Sequence, residues 1–119
     1  MDSKDNILTP LHTDTRLFPP LPDSCEISVA CYRNDFSASR IAHAVEDAEA
    51  HLLNLNVTSE IQPTGEITVD LRINHRNGGS VARSLERYGY RVLSVRTYAD
   101  IYTDMARERI NELMAHLEV

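Results

Sequence analysis

Eight consecutive residues, Ile67-Thr-Val-Asp-Leu-Arg-Ile-Asn74, alternate aliphatic and polar side chains without a break. A period of two is the mark of a strand that buries one face. A second run, Cys25-Glu-Ile-Ser-Val-Ala-Cys-Tyr32, repeats the pattern, with Ile27 and Val29 sharing the face of both cysteines. Two such strands need an apolar cover. From Ser37 the period changes: Ile41, Ala44, Val45, Ala48 and Leu52 fall on one side of a helix predicted over 37–50. Alternation resumes at Leu53, Leu55 and Val57, and Gln62-Pro-Thr-Gly65 supplies the turn that makes this segment and 67–74 a hairpin.

Asn77 is placed to cap a second, short helix carrying Val81, Leu85 and Tyr88, and Gly89 to end it in the left-handed conformation. A strand at 91–97 follows. A terminal helix over 100–117 carries the stripe Ile101, Met105, Ile110, Leu113, Met114 and Leu117, with Arg109 and Glu112 able to pair three residues apart. The order β-α-β-β-α-β predicts an α+β, ferredoxin-like fold: an antiparallel four-stranded sheet with two helices on one face, plus a C-terminal helix. Each helix is expected to join neighbouring strands by a right-handed crossover. The opposite face, with Glu26, Ser28, Ala30, Tyr32, Thr68, Asp70, Arg72 and Asn74, reads as a polar surface that needs no cover.

Four of the five prolines fall before residue 23, so 1–24 reads as a flexible lead-in, 25–98 as the folded domain and 99–119 as an added amphipathic helix. A chain of 119 residues suits one domain. No apolar stretch is long enough to span a membrane, and Met1 is followed by Asp2, Lys4 and Asp5 rather than a basic and then apolar leader. The expected location is cytoplasmic. The net charge of −6 argues against nucleic acid, although residues 67–98 hold six arginines against two acidic residues. Cys25 and Cys31, about 20 Å apart if they share a strand, cannot form a disulfide and read as small core hydrophobes. A reactive or metal-binding thiol is the sharper alternative.

Several chemistries are tested by what is missing. RNA recognition on this fold needs stacking aromatics in the central strands, and 67–74 has none. An acylphosphatase-like enzyme needs a glycine-rich loop after the first strand, and Arg33-Asn-Asp-Phe-Ser37 has no glycine. The five histidines are scattered, and no metal site, cofactor or enzymatic activity is expected. Asn77-Gly-Gly-Ser80 could present N–H groups to an anion or simply cap a helix. At the first helix, Ser37 as N-cap puts Arg40 at the third helical position, where a cation is mildly unfavourable. Either Arg40 pairs with Asp35 or a glutamate, or Arg33, Asn34, Asp35, Ser37 and Arg40 form a carboxylate or phosphate site with the free helix N–H groups.

The runs Asn34 to Glu46, Ala50 to Ser59, Ile67 to Asn74, Ser84-Leu-Glu-Arg-Tyr-Gly-Tyr90 and the closing Leu113 to Val119 resemble the C-terminal part of bacterial CBS-domain proteins. There, a tandem CBS pair precedes an ACT-like βαββαβ module. The resemblance implies a non-catalytic regulatory domain that binds an amino acid or another small anionic ligand at a domain interface, commonly as a homodimer. Phe36-Ser37 stands where ACT loops usually carry a Pro-Gly or similar small pair. The chain holds no CBS pair, so nucleotide binding is not carried over, and it is expected to be a fragment, a truncated product or a stand-alone paralogue. The alternative expectation is a purely structural dimerisation domain built on Ile101, Met105, Ile110, Leu113, Met114 and Leu117.

Overall fold

In the computed structural model, which describes residues 21–117, strand β1 (Cys25–Cys31) passes through a 3-10 turn (Arg33–Asp35) into helix α1 (Ala38–Asp47). The hairpin strands β2 (Leu52–Ile61) and β3 (Ile67–Ile73), helix α2 (Gly79–Arg87), strand β4 (Arg91–Thr97) and helix α3 (Tyr98–Leu117) follow. Most of the lead-in expected over 1–24 lies outside the described residues. Among those described, no helix is long and apolar enough to cross a membrane.

The strands form one antiparallel sheet in the order β2-β3-β1-β4, an α+β architecture compatible with a ferredoxin-like fold. The expected crossovers between neighbouring strands are not found. β3 lies between β1 and β2, and β1 between β3 and β4, so each helical connection passes a strand. The tight hairpin explains this. Gly65 donates to the Gln62 carbonyl at 2.8 Å and Gln62 to that of Glu66 at 2.8 Å, so β3 folds straight back on β2 and takes the edge of β1 that β2 would need.

Alternation does its expected work on the helical side. Cys25, Ile27, Val29 and Cys31 of β1 and Ile67, Val69, Leu71 and Ile73 of β3 are buried against Ile41, Ala44 and Val45 of α1 and Val81 and Leu85 of α2. Ser84, fully buried, donates to the Ala44 carbonyl at 2.6 Å and ties the two helices together. Both cysteines are free buried thiols, and burial pushes Cys25 up to about 11. The start of α2 presses so closely on the sheet that a Cβ at Gly78 would stand 2.7 Å from Cys25 Sγ and 2.8 Å from Val95 Cγ1. Gly78, not Asn77, is the N-cap; Asn77 Oδ1 instead accepts the Gly79 N–H at 2.9 Å, which occupies a donor that the anion reading of this loop requires.

The opposite face differs from the expected open polar surface. Ala30, Thr68 and Arg72 are 1, 3 and 2% exposed. Cross-strand partners account for part of this: Arg72 lies 3.8 Å from Glu26, Arg96 bonds Glu26 at 3.3 Å, and Ser28 donates to Asp70 at 2.6 Å. Arg96 also pairs with Asp104 of α3, so the terminal helix approaches this face from β4, and Ile101 is buried outside the main core cluster. Burial pushes the Glu26 carboxyl up, against the pull of Arg72. α3 begins two residues earlier than its apolar stripe suggests, because Thr97 Oγ1 accepts the Asp100 N–H at 3.2 Å while Asp100 returns the bond to the Thr97 N–H at 3.1 Å. This is a reciprocal cap.

Helices α1 and α2 end in the same way. Ala50 donates to the Val45 carbonyl and Glu49 to that of Glu46, as Tyr90 does to Leu85 and Gly89 to Glu86. The left-handed residue is Gly89 at φ +97° in one case and Glu49 at φ 62° in the other. A side chain in that region costs about 1 kcal/mol or more. Glu49→Gly is expected to stabilise the domain by about 1 kcal/mol, read as a higher urea midpoint; an unchanged or lower midpoint would contradict this account of the α1 end.

Candidate functional site

The loop leaving β1 and the first turn of α1 open onto a cleft of about 680 Å³. Its floor is made where three strands end, by Cys31 of β1, by Glu66 just before β3, and by Tyr90 just before β4. One wall is the segment from Asn34 to Ser37 with Arg40, and the other is Tyr88 and Gly89 at the end of α2. Asn34, Asp35, Ser37 and Arg40, all singled out from sequence, thus share one concave surface. Arg33, exposed in the 3-10 turn, is not among the residues that line it.

Ser37 caps α1, its Oγ accepting the Arg40 N–H at 3.2 Å. The N–H groups of Ala38 and Ser39 belong to the first turn, which has no intrahelical acceptor for them. Among the described residues, the Arg40 side chain pairs neither with Asp35 nor with a glutamate. Its Nη2 donates to the Tyr88 carbonyl at 2.6 Å, and the guanidinium lies 5.9 Å from the Tyr88 ring centroid. A cation that is poorly placed at the start of α1 is therefore well placed at the end of α2, where unpaired carbonyls concentrate negative charge. The Tyr88 hydroxyl in turn donates to Asp47 of α1. Arg40 thereby links the two walls of the cleft.

The acidic lining groups are held differently. Glu66 Oε1 accepts from Arg91 Nε at 3.0 Å and Nη2 at 2.6 Å, and from Thr64 at 2.7 Å, which holds its carboxyl below the usual range. Asp35 has no ion pair or side-chain hydrogen bond among the described residues. Cys31 is pushed up by burial and is poorly suited to act as a nucleophile. Among the described residues, no histidine lines the cleft.

Tyr90 is the group that sequence reasoning missed. It is 5% exposed, and its hydroxyl is buried with no hydrogen-bond partner among the described residues. Burial pushes the phenol up; Arg40 pulls it down, while Cys31 and Asp35 push it further up. Tyr90 and all three of these residues line the cleft. The available signal was Tyr88-Gly89-Tyr90, a left-handed glycine with a tyrosine on each side where α2 gives way to β4.

The stripe on α3 divides in two. Ile101 is buried, whereas Ile110, Leu113 and Met114 are 57, 63 and 55% exposed. The side chains of Met105 and Leu117 lie outside the described residues. No protein-family model matches the chain, and no curated protein matches its sequence.

A buried polar group without a partner carries a desolvation penalty of about 1–3 kcal/mol. Tyr90→Phe, which keeps the ring and removes the hydroxyl, is expected to leave the free protein as stable or about 1 kcal/mol more stable, measured by urea unfolding. A clear loss of stability would mean that the hydroxyl is already satisfied.

Proposed function

We propose that this chain is a non-catalytic regulatory module that senses a small carboxylate-bearing or otherwise anionic ligand, an amino acid included, in the cleft between the start of α1 and the end of α2. On this reading it is an ACT-like, ferredoxin-like βαββαβ domain similar to the one that follows the CBS pair in bacterial CBS-domain proteins, and it works in the cytoplasm. One observation carries the reading: a tyrosine hydroxyl is buried without a partner among the described residues, on a side chain that lines a cleft also holding Arg40. Natural proteins satisfy nearly all their buried polar groups, and a bound ligand is one way to do so.

Isothermal titration of the chain with amino acids and simple carboxylates tests this. At least one is expected to bind, and Arg40→Ala to weaken it about tenfold, a difference of about 1.4 kcal/mol. Flat titrations throughout would remove the sensing role.

A second reading, a purely structural dimerisation domain, is favoured by the exposed residues Ile110, Leu113 and Met114 on α3. Large exposed apolar groups at helical spacing mark association surfaces. Light scattering would then give a homodimer that Leu113→Glu converts to monomer; a monomer at high concentration in the unaltered chain would exclude it.

A further inference from the structure

Of the seven aromatic residues in the sequence, five tyrosines and two phenylalanines, four, Tyr32, Phe36, Tyr88 and Tyr90, line this one cleft. Tyr88 and Phe36 pack partly against the core, and Tyr90 is buried. Tyr32 is different: at the rim, on the residue that follows β1, it is 52% exposed. An aromatic side chain left half in water beside a concave site offers a ring face to whatever enters.

The charges limit what can enter. Arg40, which lines the cleft, favours an anion on one wall. On the same wall stands Asp35, with no ion pair among the described residues, and on the floor Glu66, whose charge Arg91 already answers. One negative charge on a ligand is matched by Arg40. A second, as on a phosphate dianion, would meet Asp35 without a counter-charge. The start of a helix would not by itself define a site; the Tyr90 hydroxyl, buried without a partner among the described residues on a side chain that lines the cleft, is the independent sign that a polar ligand group belongs there.

We infer that the cleft takes a small monoanionic carboxylate bearing an aromatic ring, its carboxylate at the start of α1 beside Arg40 and the Tyr90 hydroxyl, its ring against Tyr32 and Phe36. This rests on the reading of the cleft as a ligand site and adds the chemical class. The ring buries apolar area that the open cleft leaves in water, and the carboxylate gives the Tyr90 hydroxyl the acceptor it lacks.

Matched titrants separate the two levels. The full chain is titrated calorimetrically with acetate against phenylacetate, alanine against phenylalanine, and inorganic phosphate. The ring-bearing member of at least one pair is expected to bind tenfold or more tighter than its ring-free partner, and phosphate to bind more weakly than either carboxylate of that pair. Tyr32→Ala, a change at an exposed position, is expected to reduce the ring preference below threefold, and Tyr90→Phe to weaken the ring-bearing carboxylate at least fivefold. If a ring-free carboxylate or phosphate binds as tightly as the aromatic titrants, this inference falls while the ligand site stands. If aromatic carboxylates bind but neither variant changes their affinity, they bind elsewhere and the inference falls. If no titrant binds, it falls together with the sensing role.

Discussion

Strand β1 is paired along both edges, to β3 from Cys25 to Cys31 and to β4 from Cys25 to Ala30. Everything else is arranged around it. Both of its neighbours arrive from later in the sequence, so neither half of the domain can complete the sheet by itself. Because the strand is central, its two faces are both enclosed: the cysteine, isoleucine and valine face lies under α1 and α2, and the Glu26 face lies in the network of Arg72 and Arg96. Its end is also the start of the cleft, since the chain leaves Cys31 and enters α1 within seven residues. Core, second face and candidate site share one strand.

The helical-side core was legible because a two-residue period and a helical period each encode one burial direction. The second face was not. Glu26, Arg72 and Arg96 alternate with apolar residues just as solvent-facing residues would, and nothing local distinguishes a charge directed into water from one paired across strands that are 46 or 70 positions apart. Burial of Arg72 is decided by tertiary neighbours, which pattern reading does not reach. The start of α3 was missed for a simpler reason: Thr97 and Asp100 cap the helix before its apolar stripe begins. The end of α1 fell short of 50 because Glu49 adopts a conformation that its side chain disfavours.

The cleft was half legible. Arg40 stood out as a cation at a helix start, and Ser37 as its cap. Their meaning changed in the structure, because Arg40 is answered by the Tyr88 carbonyl. Tyr90 could not be found from its own segment. It joins the cleft only because β4 lies beside β1, which puts Tyr90 and Cys31 in one lining. A strand order that skips a neighbour is the kind of information that local periodicity does not contain.

The outer strand β2 has a further bearing on how the domain lives in a crowded solution. It is ten residues long and stands at the edge of the sheet, with Leu53, Val57 and Ile61 exposed. A flat edge of that length would be a template for stray strands. Its register against β3 slips twice, between Leu52 and Asn54 and between Val57 and Ile61. Each slip bends the strand and interrupts the even row of donors and acceptors that an incoming chain must match. The domain can thus carry apolar residues on its border without presenting a continuous seam for fibrillar growth.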